Sequence, residues 1–443
     1  MKVKKFSSSE LVSVLSSLPT TNHYWLAYSG GMDSTVLLHA ITQASKSFAG
    51  SKITAVHVHH GISENADAWE EHCQQFCKEL NIDLTVLHVN AQIKNGESPE
   101  EKARQFRYQA IQELMQKNDI LLTAHHQNDQ AETYLLHLFR GSGPRGLSCM
   151  PLIREFGCGY ISRPLLAFNR KQLADYARQE QLQWVNDESN NNIDLDRNYI
   201  RNEILPDIEK KWPSAVKTIS RSAEHQSELI DLVDEFINDD LKNLISDNNN
   251  VLSIDELKKL PVNKAKYILF SWLRNLDYSI PNSRIMENII TQLVNAAWDS
   301  EACIRWKDTE VRRYRNKIYA MRPLSTHDPD ITHTWNVNEP LKVVSGVLRA
   351  KKVTGEGIDT TLIRNDIVLV KYRHGGEHIQ PYGKAHQCEL KKLFQEIGMP
   401  PWLRDRIPLI YLEDKLIAVS DLWVDSRFHA KQNHEGWAIS LTY

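Results

Sequence analysis

Two hydrophobic periods alternate along the first half of the chain. Tyr24-Trp25-Leu26-Ala27-Tyr28, Ile53 to Val58, Asp83 to Val89 and Asp119 to Ala124 are short runs rich in apolar residues, which predicts four strands, the first of them buried. Between and after them, Thr35 to Ile41, Glu64 to Leu80, Ser98 to about Lys117 and Asp129 to Arg140 carry helical patterns. Ser98-Pro99-Glu100-Glu101 reads as a helix start, with Pro at the first helical position and acids in the first turn. Strand–helix units at this period predict an α/β fold with a doubly wound parallel sheet. Such sheets bind ligands beyond the carboxyl ends of their strands. The Gly30-Gly31 loop, His57 to Gly61 and His125 to Asp129 all fall at such ends.

From Trp212-Pro213 the pattern changes. Ser214 to Ile245 reads as one long helix, followed by helical runs at Asn263 to Leu276 and Asn282 to Ala297. After about Arg322 the chain becomes strand-rich, with a helix at Glu389 to Ile397. The expected domains are therefore 1–212, an α/β unit; 213–325, helical; and 326–443, a small α+β unit. A chain of 443 residues agrees with three domains at roughly 150 residues each. Met1-Lys2-Val3-Lys4-Lys5 precedes no long apolar segment, and no run of about 18 apolar residues occurs, so a cytoplasmic location without membrane contact is expected. With 53 Lys+Arg against 56 Asp+Glu the net charge is −3. That excludes a wholly basic nucleic-acid coat but not local basic patches. Among six cysteines there is no CxxC pair. Cys73 and Cys77, one helical turn apart, read either as small half-buried residues or as half of a metal or redox site.

Chemistry concentrates first at Ser29-Gly30-Gly31-Met32-Asp33-Ser34, between a strand and a helix. A Gly-Gly turn lets backbone N–H groups converge on an anion at a helix N-terminus. A Walker loop would supply a lysine; here Asp33 stands instead, which points to Mg²⁺ as the partner of the phosphates. Asp129 and Glu132, three apart on a helix, share a face and point the same way: a cation between carboxylates and triphosphate, or simply acids favoured by a helix N-terminus. His57, His59, His60, His125 and His126 crowd these strand ends. Zinc is one reading, hydrogen bonding near phosphate the other. Arg140 and Arg145 flank Gly141, Gly143 and Gly146, as in a phosphate-contacting loop or a helix C-cap. Arg197 and Arg201, four apart, share a helix face that suits RNA backbone, active-site support, or plain solvation. From Lys371 to Arg406, basic residues including Arg373, Lys391, Lys392, Arg404 and Arg406 interleave with Tyr372, Phe394 and Trp402, a composition that suits RNA contact or an ordinary basic face.

Ser-Gly-Gly-x-Asp-Ser after a first strand resembles the PP-loop ATP pyrophosphatases, whose fold is adenine nucleotide alpha hydrolase-like. Further motifs narrow the resemblance to the bacterial tRNA(Ile)-lysidine synthetases. These are His57 to Gly61, Glu101-Lys102-Ala103-Arg104 with Arg107-Tyr108, Ala124 to Thr133, Arg140 to Gly143, Arg163 to Leu166, Asp187 to Asn190, Arg197 to Arg201, Tyr372 to Glu377 and Pro400 to Pro408. The resemblance spans essentially the whole chain. Two positions depart from it: Asn128 replaces the first of two adjacent aspartates, and His59 stands where asparagine is common.

This family converts the wobble cytidine of a CAU anticodon in tRNA(Ile) to lysidine, using ATP and free L-lysine. The resemblance implies that residues 29–34 (Ser29, Gly30, Gly31, Met32, Asp33, Ser34) bind ATP, cradling its pyrophosphate, and that Asp33 and Asp129 hold Mg²⁺ with Glu132 in support. It further implies His57 near the nucleotide base, Arg140 or Arg145 on phosphate or cytidine, and tRNA contacts at Arg197, Arg201, Arg373, Lys391, Lys392, Arg404 and Arg406. A homodimer is compatible with it. The rivals are a PP-loop tRNA thiolase, which commonly needs paired cysteines, and a non-catalytic RNA-binding or ATP-sensing module.

Overall fold

The structure is a computed structural model. It describes residues 5–45, 50–59, 61, 65–89, 99–186, 188, 192–246, 248–296 and 302–442. His60, Ser98, Asp187, Ser189 and Asn190 lie outside the described residues, as do the side chains of Glu101 and Ala103. The chain divides into two compact units, 1–236 and 237–443.

The first unit opens with α1 (Ser8–Leu15), then β1 (His23–Ala27), α2 (Met32–Gln43), β2 (Lys52–His59), α3 (Ala66–Glu79), β3 (Asp83–His88), α4 (Pro99–Leu114), β4 (Ile120–Leu122) and α5 (Gln127–Phe139). The short α6 (Pro144–Leu147), β5 (Ile153–Phe156), β6 (Gly159–Ser162) and α7 (Arg170–Gln179) follow. Then α8 (Asp196–Tyr199) runs through a π-helical turn, Ile200–Ile204, into α9 (Leu205–Lys211), and α10 spans Ala215–Leu244. The sheet order is β3-β2-β1-β4-β6-β5. All neighbours are parallel except the β5/β6 edge hairpin. The four predicted strands are thus present, and the doubly wound sheet gains a hairpin that the sequence pattern did not announce.

Both faces of the sheet are buried, as parallel sheets require. On one side Tyr24, Leu26, Ile120 and Leu122 pack with Leu37, Leu38 and Ile41 of α2 and with Leu11, Leu15, Leu173 and Tyr176. On the other, Trp25 and Leu121 pack with Val56, Ile111, Met115, Phe156 and Ile161. The strand period of two sends alternate residues of one strand to opposite cores, and each fully buried aliphatic contributes about 1.5–3 kcal/mol. A separate cluster of Ala131, Leu135, Ile200, Leu205 and Val216 packs α5 against the α8–α10 segment. Cys73 and Cys77 are buried free thiols; burial pushes both up to about 12, which fits core packing and not redox chemistry.

In the second unit the predicted helices occupy Val262–Asn275 and Ser283–Asn288, the latter continuing as a π-helix over Ile289–Val294. Strands come earlier than the expected change near Arg322, first at Val251–Ser253 and then from Cys303. Cys303–Trp306, Thr309–Tyr314 and Lys317–Met321 join Val251–Ser253 in a four-stranded antiparallel sheet. The strand-rich remainder forms a five-stranded and a four-stranded antiparallel sheet around Trp335, Leu348, Val370, Ile410, Ile417 and Trp437. The helix Leu390–Glu396 buries Leu390, Leu393 and Phe394.

Candidate active site

The β1–α2 turn sits at the carboxyl edge of the sheet. Gly30 takes φ +78°, and a Cβ there would lie 3.0 Å from Val185 Cγ2 and 3.1 Å from Cys73 Sγ, so only glycine lets the loop pass this close to α3. Gly31 is the N-cap of α2, and the backbone ladder of that helix opens with Thr35 N–H donating to Gly31 O at 3.0 Å. The N–H groups of Met32, Asp33 and Ser34 precede that ladder and have no intrahelical acceptor, the condition for anion binding. Ser34 Oγ donates to Gly31 O (2.9 Å) and lies 3.1 Å from Ser29 Oγ, closing the loop on itself.

Asp33 Oδ1 is buried and has no hydrogen-bond partner. Its other oxygen, Oδ2, lies 3.5 Å from His126 Nε2. An orphaned carboxylate oxygen beside a phosphate cradle fits a cation such as Mg²⁺. His126 is the N-cap of α5 in a reciprocal capping box: Asp129 N–H donates to its Nδ1, and its own N–H donates to Asp129 Oδ2 at 2.9 Å. Burial opposes charge on His126, but the carboxylates of Asp129, Asp33 and Glu132 outweigh it and raise its pKa above the usual 6.5.

Asp129 and Glu132 share a face as expected, but arginines meet them there. Arg197 donates from Nη2 to Asp129 Oδ1 (3.0 Å) and from Nε to Glu132 Oε2 (3.0 Å). Arg201 donates from Nε to Glu132 Oε1 (2.7 Å) and from Nη2 to Glu132 Oε2 and Asp129 Oδ1 (both 2.9 Å). The four-residue spacing of the arginines matches the three-residue spacing of the acids, and the Ile200–Leu205 packing on α5 holds the two helices together. Burial of Asp129 favours its neutral form, yet His126, Arg197 and His125 hold its pKa below the usual carboxylate range. Both Asp129 oxygens are engaged. In this arrangement Asp33 keeps an oxygen that a cation could take and Asp129 does not, and the heads of Arg197 and Arg201 face the two carboxylates.

Other expected site residues are placed as follows. His57 is buried, its Nδ1 at 3.0 Å from Tyr28 O and 3.5 Å from Cys73 Sγ. It props the residue before the loop from inside, and burial lowers its pKa despite the Tyr28 bond, so the ring is neutral. Arg140 pairs with Asp196 at 3.1 Å and Arg145 makes a bidentate pair with Asp234. Asn128 Oδ1 accepts from Arg170 N–H at 3.0 Å; it tethers the start of α7 and does not join the carboxylate cluster. Lys391 and Lys392 are exposed on the outer face of their helix, and Arg373 pairs with Asp405 at 3.2 Å. Arg406 is partly exposed and donates to Ser325 O. Arg404, also expected to contact tRNA, is placed differently from these. It is buried, with Nε donating to Met399 O and Nη2 to Tyr314 Oη, each at 2.8 Å, because its short helix turns it under the Tyr314 ring.

Charge that the spacing of motifs did not assign gathers around His125. Burial first, then the nearby Arg163, Arg104 and Arg197, outweigh Asp129 and push its pKa down to about 3. The ring is a neutral hydrogen-bonding group, 2.9 Å from Thr123 Oγ1. Arg104 and Arg163 are cations of the same corner, one on α4 and one just after β6; only the topology brings them together.

A PP-loop domain model matches residues 3–208, a TilS substrate binding domain model residues 252–319, and a TilS substrate C-terminal domain model residues 368–441. A tRNA(Ile)-lysidine synthase of Coxiella burnetii is 38% identical over 438 residues, 98% of this chain and 97% of that protein. One of Methylococcus capsulatus is 36% identical over 408 residues, 91% of this chain and 93% of its own. Among solved structures, a U34-tRNA thiolase of Methanococcus maripaludis aligns at TM-score 0.43 and 17% identity, over 50% of this chain and 77% of its own. The phosphate cradle with its lone acid lies within the segment that matches the PP-loop model, and the likeness to the two synthases runs on through the substrate-domain segments; the chain belongs to the tRNA(Ile)-lysidine synthase family.

Proposed function

We infer that this protein makes lysidine: it joins L-lysine to C2 of the wobble cytidine of a tRNA(Ile) bearing the CAU anticodon, consuming ATP and releasing AMP and pyrophosphate. The observation that carries this reading is the Gly30–Ser34 turn, a lysine-free anion cradle holding a carboxylate with one orphaned buried oxygen, in a chain of this family.

The chemistry asks for two displacements. The cytosine O2 attacks the α-phosphate and pyrophosphate leaves; the lysine amine then attacks C2, AMP leaves, and the nitrogen gives up a proton. A carbonyl oxygen of a base leaves poorly until adenylated, so the first step sets the barrier that the site must lower. In our reading the N–H groups of residues 30–34 receive the departing pyrophosphate, where fixed donors need no reorganisation. Asp33 would hold Mg²⁺, with His126 fixing the direction of its carboxylate. When bound, that ion supplies positive charge to the pyrophosphate oxygens. Asp129 and Glu132 act one layer back, orienting His126, Arg197 and Arg201. Arg140 and Arg145 reach phosphate or cytidine by exchanging Asp196 and Asp234 for it. Lys391, Lys392, Arg373 and Arg406 meet the tRNA backbone. We further propose that 1–212, 213–325 and 326–443 work as a catalytic domain and two tRNA-binding domains.

The test is incubation with ATP, labelled lysine and a CAU-anticodon tRNA(Ile). Lysine label at the wobble base, one AMP per lysine joined, supports the reading. A product heavier by one sulfur, or no label with Mg²⁺ present, overturns it.

A further inference from the structure

A second cluster of ligand-type side chains lies at the same sheet edge, outside the phosphate cradle. His59 and His88 are register partners at the carboxyl ends of the parallel strands β2 and β3. Their side chains therefore leave the same face, with ring centroids 4.9 Å apart. Glu70, in the first turns of α3, reaches toward them. One imidazole nitrogen from each histidine and one Glu70 carboxylate oxygen lie within 4.8 Å of one another. Among the described residues this is the one group of three or more His, Cys, Asp or Glu side chains so placed.

Direct bonding within the trio does not account for the arrangement. His88 Nε2 stands 3.7 Å from Glu70 Oε2, beyond hydrogen-bond distance. Asp67, three residues before Glu70 and so on the same helical face, lies 3.0 Å from His59 Nε2. It orients that ring as an outer carboxylate does for a metal-bound histidine. Two imidazoles and one carboxylate are the donor set of a zinc-type ion that keeps a fourth position open. Around a tetrahedral ion with bonds of about 2.0–2.1 Å, ligand atoms sit about 3.4 Å apart. The ligand atoms now lie within 4.8 Å of one another, with His59 and Glu70 half-buried and His88 exposed, so binding asks for side-chain rotation that moves them by about 1 Å. Two of the three donors are imidazole nitrogens and only one is oxygen, which disfavours Mg²⁺.

We propose that His59, Glu70 and His88 form a zinc-class divalent metal site, with Asp67 orienting His59. The site is separate from any ion on Asp33. It fastens the first turns of α3 to the ends of β2 and β3. The same helix supplies Cys73, which forms part of the wall that Gly30 passes, so the metal stiffens one side of the nucleotide loop.

The experiment titrates ZnCl2 into the metal-stripped full chain by calorimetry, for the unaltered protein and for His59→Asn, Glu70→Gln, His88→Asn and Asp67→Asn. The unaltered chain should bind one zinc in a step that each ligand substitution weakens by at least the roughly 10–100-fold that loss of an outer partner costs, with Asp67→Asn inside that range. Cobalt should give the intense visible bands of a tetrahedral site, lost in His88→Asn. Zinc should raise the melting temperature of the unaltered chain and not of His59→Asn; melting in chelator, equal for both, shows that the variant is folded. Zinc binding of equal affinity and stoichiometry in all five proteins, or no binding, overturns the proposal.

Discussion

Replacing Arg201 by methionine separates two readings of the arginine pair. Arg201 makes three charge-assisted hydrogen bonds, two to Glu132 and one to Asp129. Glu132 is 1% exposed and Asp129 7%, so neither carboxylate can turn to water when its partner goes. Removing one member of a buried ion pair costs about 3–5 kcal/mol, because the remaining charge is stranded. Arg197 still bonds both acids, which places the expected loss near the lower end, about 3 kcal/mol. Arg201→Lys keeps the charge but offers a point instead of a fork, and should fall between. An exposed phosphate contact behaves differently: its loss changes stability by less than about 0.5 kcal/mol, weakens tRNA binding and lowers the salt slope by about one. The assays are urea unfolding followed by tryptophan fluorescence, and tRNA binding across a salt series. A stability loss below about 1 kcal/mol together with a reduced salt slope would refute the bracing role and restore Arg201 to the RNA interface.

Other consequences follow from the same geometry. Asp33→Asn should abolish tRNA-dependent pyrophosphate release while leaving tRNA affinity nearly intact; near-normal turnover would sink the metal assignment. Gly30→Ala, which adds a Cβ at φ +78° against Val185 and Cys73, should cost about 1–3 kcal/mol in melting experiments and raise the KM for ATP, whereas Gly31→Ala meets only Ser29 Oγ at 3.4 Å and should be milder. The coupling of His126 to Asp129, measured as a double-mutant cycle with His126→Gln and Asp129→Asn, should peak between about pH 4 and 6. Asp129 is lowered from 3.8, so its contribution is complete above that value and lost as the pH falls through its folded pKa; His126 is raised from 6.5, so its contribution is complete below 6.5 and lost as the pH rises. A coupling that stays flat to pH 9 contradicts this. Lys391→Ala with Lys392→Ala should leave melting unchanged and reduce the salt slope of tRNA binding by about two; an unchanged slope removes that helix from the interface.

Patterns confined to one element were legible in the sequence. The long helix expected over Ser214 to Ile245 is Ala215–Leu244, and Asn263 to Leu276 is Val262–Asn275, because a 3.6-residue apolar stripe reports burial of one face directly. The inner strands β1, β2 and β4 were equally plain, since burial on both faces leaves little polar sequence in them. The β5/β6 hairpin was not: its run Ile153-Arg154-Glu155-Phe156 is half polar, as befits an edge strand. Nor was the sheet built from residues 303–321, whose strand Thr309–Tyr314 carries Glu310, Arg312 and Arg313. At the site, the sequence showed Asp129 with Glu132 and Arg197 with Arg201 as spaced pairs. It could not show that the pairs answer one another, since 65 to 72 residues separate the partners and only the packing of Ala131 and Leu135 on Ile200 and Leu205 aligns them. The burial of His57 and Arg404 escaped for the same reason: a polar residue inside a fold has no periodic signature.

That pairing also explains how one sheet edge can hold three acids with different tasks. Asp129 and Glu132 carry two negative charges, and Arg197 and Arg201 return two positive ones at 2.7–3.0 Å, so the cluster is close to neutral and its oxygens are engaged. A neutral, fully bonded cluster makes a poor metal site and a rigid support. Asp33 stands outside this balance. It touches the cluster through His126 and its charge also reaches Arg201, but its Oδ1 keeps no partner in the turn where helix N–H groups already favour an anion. A free carboxylate would repel phosphate there; with a cation between them the two attract. The arginines therefore matter to the cradle although they do not line it. By occupying Asp129 and Glu132 they leave Asp33 as the acid of this trio with an oxygen to give, so a cation held as we propose would sit on the loop side of the cluster.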